Sequence, residues 1–349
     1  MKTIPCFLLA VALAFVGVSE THGQSGNAAA YSRIGLSPRI IAIGNAYVAG
    51  GSEGNYSYYN PALAALNTEN HLDLSGASMR FDRSLGTLQA TFPLPPNAGL
   101  SLDIVYAGVS NFDGRTQSGY HTEFFDTHDL QLGAAFGVAL NPRLTIGTRI
   151  TYKLSRYTLT GVETPSSVGL DLGLRYSMTD NTAIGFAIQE LISEFVWDTS
   201  DYYGTVGSLQ TNDQIPTRIK AGIWHNVQQL PANLYLEFEN RRITGQQRFN
   251  ETAFAGTGAV ITERREDVTY SRYYLRAGIS APLHDRLVVR AGWQSGQTDT
   301  MNQSQRFSSG FSINLPFDLY APSIDYVFVR EPGGVSWFHM FSLRLNLNS

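Results

Sequence analysis

Cysteine occurs once in the 349 residues, as Cys6, so the rest of the chain carries no thiol and no disulfide scaffold. Cys6 also precedes the apolar run of the leader instead of ending it, which argues against a lipoprotein cleavage box. Long apolar runs are as scarce. The one present, Phe7 to Val18, falls short of the about 20 residues a spanning helix needs, and no comparable stretch follows it. A helical membrane protein is therefore excluded. Charge is sparse at 15% of residues, with a net value of −4 and no long run of one sign, which leaves nucleic-acid binding without support.

Catalytic signatures are missing too. There is no Gly-x-Ser-x-Gly elbow, no HExxH helix and no phosphate-binding glycine loop. The histidines (His22, His71, His121, His128, His225, His284 and His339) lack metal-ligand spacing. His121 and His128 share one connector with Glu123, Asp126 and Asp129, which reads as a solvated outer loop. Neither enzyme activity, metal nor cofactor is expected.

What is present is glycine (33), tyrosine (18) and phenylalanine (19), arranged in alternation. From Arg143 to Leu154, Leu144, Ile146, Ile150, Tyr152 and Leu154 take one parity, while Arg143, Thr145, Arg149, Thr151 and Lys153 take the other. Leu130, Leu132, Ala134, Phe136, Val138 and Leu140 likewise oppose Asp129, Gln131, Gly133 and Gly137. One face suits lipid and the other water, over about the 9–11 residues that a tilted strand needs to cross a bilayer.

Cutting the chain at its turn residues gives about fourteen such segments: 70–81, 84–93, 97–108, 126–140, 143–155, 166–178, 181–195, 215–227, 232–244, 268–281, 285–296, 305–315, 320–330 and 335–347. Compact turns at Pro93 to Asn97, Asn141-Pro142, Thr179 to Asn181, Gln228 to Ala232, Pro282 to Asp285 and Pro316 to Tyr320 alternate with connectors at 109–125, 156–165, 196–214, 245–267 and 297–304. A soluble sandwich has no reason to sort its loops by parity, whereas a barrel with short periplasmic turns and long outer loops does. Tyr106, Tyr152, Trp293 and Trp337 fall toward the loop-bearing strand ends, at the headgroup level amphipathic rings favour.

The expected fold is thus all-β, a transmembrane antiparallel β-barrel of about fourteen strands with a short N-terminal helical plug. Residues 1–23 read as a signal peptide, cleaved after Gly23 with Thr21 at the −3 position. Residues 24–68 form the plug segment and 69–349 the barrel. Within the plug, Ser37-Pro38 makes a helix start, with an N-cap followed by proline, and Asn60-Pro61 starts a second short turn running to about Leu66. With the short turns in the periplasm, the plug and both chain ends are expected there.

Arg39, Gly44, Ala46, Val48, Ala49, Tyr58, Asn60, Pro61 and Ala62 fit a stretch of the PorV/PorQ family of outer-membrane proteins, which this segment resembles. Asn45 departs from it where a second glycine is usual, as does Gly50 to Asn55 where an Asp-rich loop is usual. Gly334 to Leu343 is similar to the family's Gly-x-x-x-x-His-x-x-Ser-Leu ending, although Asn348-Ser349 replaces the usual terminal aromatic residue. Leu170 to Leu191 and Leu275 to Trp293 also look similar to the family's strand pairs.

The resemblance implies a FadL-like barrel in the outer membrane of a Gram-negative bacterium. It also implies a non-enzymatic role in type IX protein secretion, binding secreted cargo or translocon and attachment partners. The alternative is a FadL-like transporter of hydrophobic small molecules, with a lipid-like ligand in the lumen. Trp197, Tyr202 and Tyr203 in one outer loop, and Phe254 and Ile261 in another, mark either partner contacts or a lid over the mouth. Arg143, Arg149, Lys153, Glu237, Glu239 and Arg290 take lumen parity, together with Asp129, Arg241, Arg276 and Arg344. Facing lipid, each Arg or Lys would cost about 2–4 kcal/mol near the midplane. Their mixed sign fits salt-bridge packing or plug contact better than an ion-selective pore.

Overall fold

The computed structural model describes residues 28–54, 56–158, 164–198, 210–255, 258–296, 304–317, 320–331 and 336–347. The strands are β1 (His71–Met79), β2 (Arg83–Leu94), β3 (Ala98–Arg115), β4 (His121–Asn141), β5 (Leu144–Tyr157), β6 (Ser166–Thr179), β7 (Thr182–Gln189), β8 (Glu194–Asp198), β9 (Gln210–Gln214), β10 (Thr217–Val227), β11 (Ala232–Ala255), β12 (Gly258–His284), β13 (Leu287–Gly296), β14 (Ser304–Asn314), β15 (Ser323–Arg330) and β16 (Trp337–Asn346). Fourteen of them close into an antiparallel barrel in which β1 pairs with β16, while β8 and β9 form a separate two-stranded sheet. Closure satisfies the backbone groups that a sheet edge would leave bare in lipid. Among the described residues no helix is long and apolar enough to cross a membrane, so the crossing is made by strands.

The wall is inside out relative to a soluble protein. Ile150, Phe136 and Leu132 are 58%, 46% and 41% exposed on the outer surface, whereas Arg149 and Lys153 are 1% and 0% exposed inside. This is the alternation read from the sequence, now assigned to lipid and lumen.

Three expectations are corrected. The segment expected at 181–195 stops at Gln189, because Glu190 takes a left-handed conformation (φ 61°) and turns its side chain inward onto Lys153. Much of the connectors at 109–125 and 245–267 is strand: β3 and β4 pair as far as Arg115 with His121, and β11 and β12 as far as Ala255 with Gly258. Arg143 stands exposed in the turn before β5, not in the lumen, because the strand begins one residue after it.

The plug fills the lumen. It comprises a 3-10 turn (Ala30–Arg33), the short helix α1 (Pro38–Ala42) and a second 3-10 turn (Pro61–Leu66). Asn60 caps the last of these, accepting from the Ala62 N–H at 3.0 Å. Ser37 does not cap α1 with its side chain; its hydroxyl bonds the Tyr56 hydroxyl at 3.1 Å. The plug joins β1 at the end of the barrel that carries the compact turns, but its first turn reaches the opposite half of the lumen, where Arg33 is an electrostatic neighbour of Arg218, Arg241 and Glu239.

Backbone lies on backbone where plug meets wall. Gly99, Gly137, Gly147 and Gly173 are direct cross-strand neighbours on β3 to β6; Gly185 pairs with Gly222, and Gly278 with Gly292. A Cβ at Gly137 would stand 2.7 Å from the Ala65 nitrogen, and one at Gly147 2.5 Å from the Pro61 carbonyl oxygen. Only glycine leaves room there, whereas a Cβ at the outward-facing Gly76 meets nothing within 4 Å.

We predict that Gly147→Leu leaves the barrel folded but unseats the plug, since relieving such an overlap costs on the order of 1–3 kcal/mol. In limited proteolysis of the detergent-solubilised protein, residues 56–66 become cleavable in G147L while the barrel keeps its heat-modifiable migration. Gly76→Leu remains as resistant as the unaltered protein.

Candidate functional site

The plug and its seat bring together most of the residues singled out in the sequence. Two peptide N–H groups, of Tyr47 and Val48, donate to one Glu237 carboxylate oxygen on β11, each at 2.8 Å. The other Glu237 oxygen accepts from Arg276 at 2.7 Å, and Arg276 also meets Glu239 at 2.7 Å. Glu239 in turn holds Arg241 at 2.7 Å. A carboxylate buried in a lumen wall is costly unless all its lone pairs are used, and here plug backbone and wall guanidinium share them.

Two further ion pairs cross from plug to wall. Arg39 meets Asp325 on β15 at 2.8 Å and donates to the Ser323 hydroxyl at 2.6 Å. Glu53 meets Arg290 on β13 at 2.5 Å and accepts from the Tyr235 hydroxyl at 3.3 Å. Glu53 thus supplies the negative charge within the Gly50 to Asn55 stretch where an Asp-rich loop was expected.

Asn60 ties the plug to itself and to the wall, donating to the Val48 carbonyl at 2.6 Å and the Leu174 carbonyl at 3.1 Å. Pro61 and Ala62 follow it into the glycine seat, with Ala62 fully buried. Gly44 and Asn45 form the left-handed turn after α1, at φ 71° and 61°. Asparagine tolerates that region better than other non-glycine residues, and Asn45 adds bonds to the Ile34 carbonyl and the Tyr59 hydroxyl, both 3.1 Å. This accounts for Asn45 standing where a glycine was expected. Ala46 is buried beside it.

Tyr47, Tyr56, Tyr58 and Tyr59 make the plug's interior, with Tyr47 edge-on to Tyr56 and Tyr59 at 6.3 and 6.2 Å. Burial pushes the Tyr47, Tyr56 and Tyr59 phenols above their ordinary range, so they stay neutral donors at physiological pH. The Arg149 guanidinium lies 5.1 Å from the Tyr58 ring centre and is itself held by Asp103 at 2.6 Å and Asp171 at 3.0 Å. Lys153 pairs with Glu190 at 2.6 Å.

Of the expected lumen charges, Arg149, Lys153, Glu237, Glu239 and Arg290 are therefore inside and paired, and only Arg143 is outside. Sequence reasoning missed Glu53, Asp103, Asp171 and Asp325. The three wall residues among them share lumen parity with glycine or hydroxyl neighbours, a signal that was available but did not say which would meet the plug. A cleft of about 10 Å³ beside the plug, lined in part by Asn45, Gln294, Arg306 and Ser308, has room for roughly one water.

The expected outer-loop contacts are not gathered into one site. Trp197 packs inward, its ring 5.2 Å from that of Tyr157 and 6.4 Å from that of Phe195. Tyr202 and Tyr203 lie outside the described residues. Phe254 and Ile261 belong to the β11–β12 ladder, paired with Ala259 and Thr252, and their side chains lie outside the described part.

No protein-family model matches the chain, and no curated protein matches it by sequence. Among solved structures it is similar to the CymD monoaromatic hydrocarbon channel, at 12% identity and a TM-score of 0.60, covering 90% of this chain and 98% of that one. The Pseudomonas putida toluene transporter TodX matches at 12% identity and a TM-score of 0.62, over 89% and 98% of the two chains. A Pseudomonas aeruginosa FadL homologue matches at 12% identity and 0.57, over 94% and 100%. These likenesses lend no specific support to the PorV/PorQ resemblance. At such identities the agreement is one of fold, and it extends over nearly the whole length of each chain.

Two outcomes follow from the seat. Glu237→Ala leaves the Tyr47 and Val48 N–H groups without their acceptor and Arg276 with Glu239 as its remaining carboxylate, and breaking a buried pair of this kind costs about 3–5 kcal/mol. Planar-bilayer recordings are expected to show frequent conductance openings in E237A and a quiet baseline in the unaltered protein. Asn60→Ala removes one acceptor and two donors, at about 1 kcal/mol per neutral bond. Hydrogen exchange at residues 58–66 is expected to quicken in N60A while the β11–β12 ladder stays protected.

Proposed function

We propose that this chain is a Gram-negative outer-membrane channel for hydrophobic small molecules, in which the plug shifts to admit ligand. One observation carries the reading: the lumen of a lipid-embedded barrel is filled by the chain's own N-terminal segment, which is held by a few breakable polar contacts. The likeness in fold to channels and transporters named for monoaromatic hydrocarbons and toluene supports it. So does the composition of the lumen. Polar groups line all of the wall, but on β2, β3, β15 and β16 the lumen also holds Leu85, Val105, Val327, Val329, Phe338 and Met340, buried in one cluster with plug residues Leu36 and Ile41. An apolar ligand can replace the side-chain part of those plug contacts, at the loss of one buried bond, from the Thr87 hydroxyl to the Leu36 carbonyl.

The type IX secretion role implied by the PorV/PorQ resemblance is the second reading. It is favoured by the β3–β4 hairpin, which runs past its neighbours and exposes Phe112, Tyr120 and Phe124. The two readings differ in where binding occurs, in the lumen or on the outer hairpins.

The test is uptake of ring-labelled toluene by proteoliposomes holding the full chain. We expect entry several times faster than into protein-free vesicles, and faster still with E237A. Entry equal to that of protein-free vesicles, together with a secreted protein co-purifying in mild detergent, would overturn the channel reading in favour of the second.

A further inference from the structure

A second feature lies on the outside of the barrel, independent of what crosses the lumen. Cross-strand register lines up His339, Ser78, Ser84, Gly108, His128 and Arg156 as direct neighbours across β16, β1, β2, β3, β4 and β5. All six share the outward parity, opposite to the lumen-facing Met340, Leu85, Ala107 and Ser155, which are buried. The row contains no carboxylate. It spans five strand spacings of about 4.8 Å, roughly 24 Å in all.

Each histidine is fixed by a tyrosine. His128 Nδ1 lies 2.9 Å from the Tyr106 hydroxyl and His339 Nδ1 2.6 Å from the Tyr326 hydroxyl. Either tautomer leaves one donor over. If Nδ1 accepts, the proton sits on Nε2; if Nδ1 donates, the tyrosine O–H is free to donate elsewhere. With the two serine hydroxyls and the exposed Arg156 guanidinium, the row is a line of donors with one fixed positive charge, on Arg156.

Its level is set by the next outward row toward the periplasm: Phe341, Gly76, Gly86, Tyr106, Leu130 and Leu154, again direct neighbours. That row belongs to the lipid-facing band, so the donors begin where the apolar band ends, on the outer side. Between Phe341 and Tyr106, a Cβ at Gly76 or Gly86 would touch nothing within 4 Å, which leaves a shallow trough under the two serines.

We propose that this row binds the phosphate-bearing headgroup of an outer-leaflet glycolipid, with an acyl chain lying in the Gly76–Gly86 trough. Charge complementarity and continuity with the lipid-facing band select this occupant. The width of the row suits a headgroup carried on several chains better than a single-chain amphiphile. The proposal shares with the channel reading only the outer-membrane location.

The test is native mass spectrometry of the full chain in detergent, with added bis-phosphorylated lipid A or its enzymatically dephosphorylated form. The unaltered protein is expected to retain the phosphorylated lipid and to bind the dephosphorylated form at least tenfold less. Arg156→Gln combined with His128→Phe lowers retention about tenfold, and R156Q alone, at an exposed position that folding does not need, lowers it severalfold. Arg115→Gln, an exposed arginine on the hairpin above the row, leaves retention unchanged. Heat-modifiable migration confirms each barrel. Equal retention by R156Q and the unaltered protein, equal binding of the dephosphorylated lipid, or an equal loss in R115Q would each overturn the proposal.

Discussion

The structure depends on how closely the plug backbone approaches the wall. A barrel of fourteen strands is too wide for its own side chains to fill unless something occupies the centre, and here a segment of about forty residues does so with main chain against main chain. Glycines at lumen parity let Pro61, Ala64 and Ile43 come that near. Much of the polar lumen then follows from the approach: once water is excluded, every peptide N–H and C=O needs a partner, so Glu237 accepts from the Tyr47 and Val48 N–H groups while Arg175 and Gln189 donate to the Ala49 and Tyr58 carbonyls. Plug and lumen wall are one solvation problem solved jointly.

Charge and fit are combined along the plug. Residues 39–54 meet Asp325, Glu237 and Arg290 on β11 to β15 and also lay their main chain against Gly185, Gly278 and Gly292. Residues 60–66 are held mainly by fit, in the glycine seat of β3 to β6. Charge-based contacts in a low-dielectric lumen are strong while complete and cheap to exchange once water enters; steric fit has no such intermediate. The first part therefore carries contacts that water can exchange, in addition to its fit.

Much of the fold was legible because lipid and lumen impose a period of two that little else in the chain disturbs. Strands such as β5, β6 and β16 matched their sequence boundaries within a few residues, since Ile150 or Phe341 facing the lumen would be as unfavourable as Arg149 facing lipid. What parity cannot show is where a strand stops once it has left the membrane. The hairpins of β3–β4 and β11–β12 continue on backbone pairing alone, and β7 ends early because Glu190 is drawn to a lysine on β5. Plug motif residues could be read, since Asn60-Pro61 and Ser37-Pro38 are local signals. Their partners could not: Arg39 and Asp325 are 286 residues apart, and any of several lumen acids would have satisfied the same pattern.

The same separation bears on the wall as a whole. The plug precedes every strand in the chain, yet its contacts run from Asp73 on β1 and Thr87 on β2 to Asp325 on β15 and Arg344 on β16. Its final set of bonds therefore needs both strands of the seam where β16 meets β1. Without the plug, Arg149, Lys153 and Arg276 would keep their wall carboxylates, whereas Asp325 and Arg290 would lose Arg39 and Glu53. The N-terminal segment thus acts as the counter-ion of the lumen at the two places where the wall does not balance its own charge.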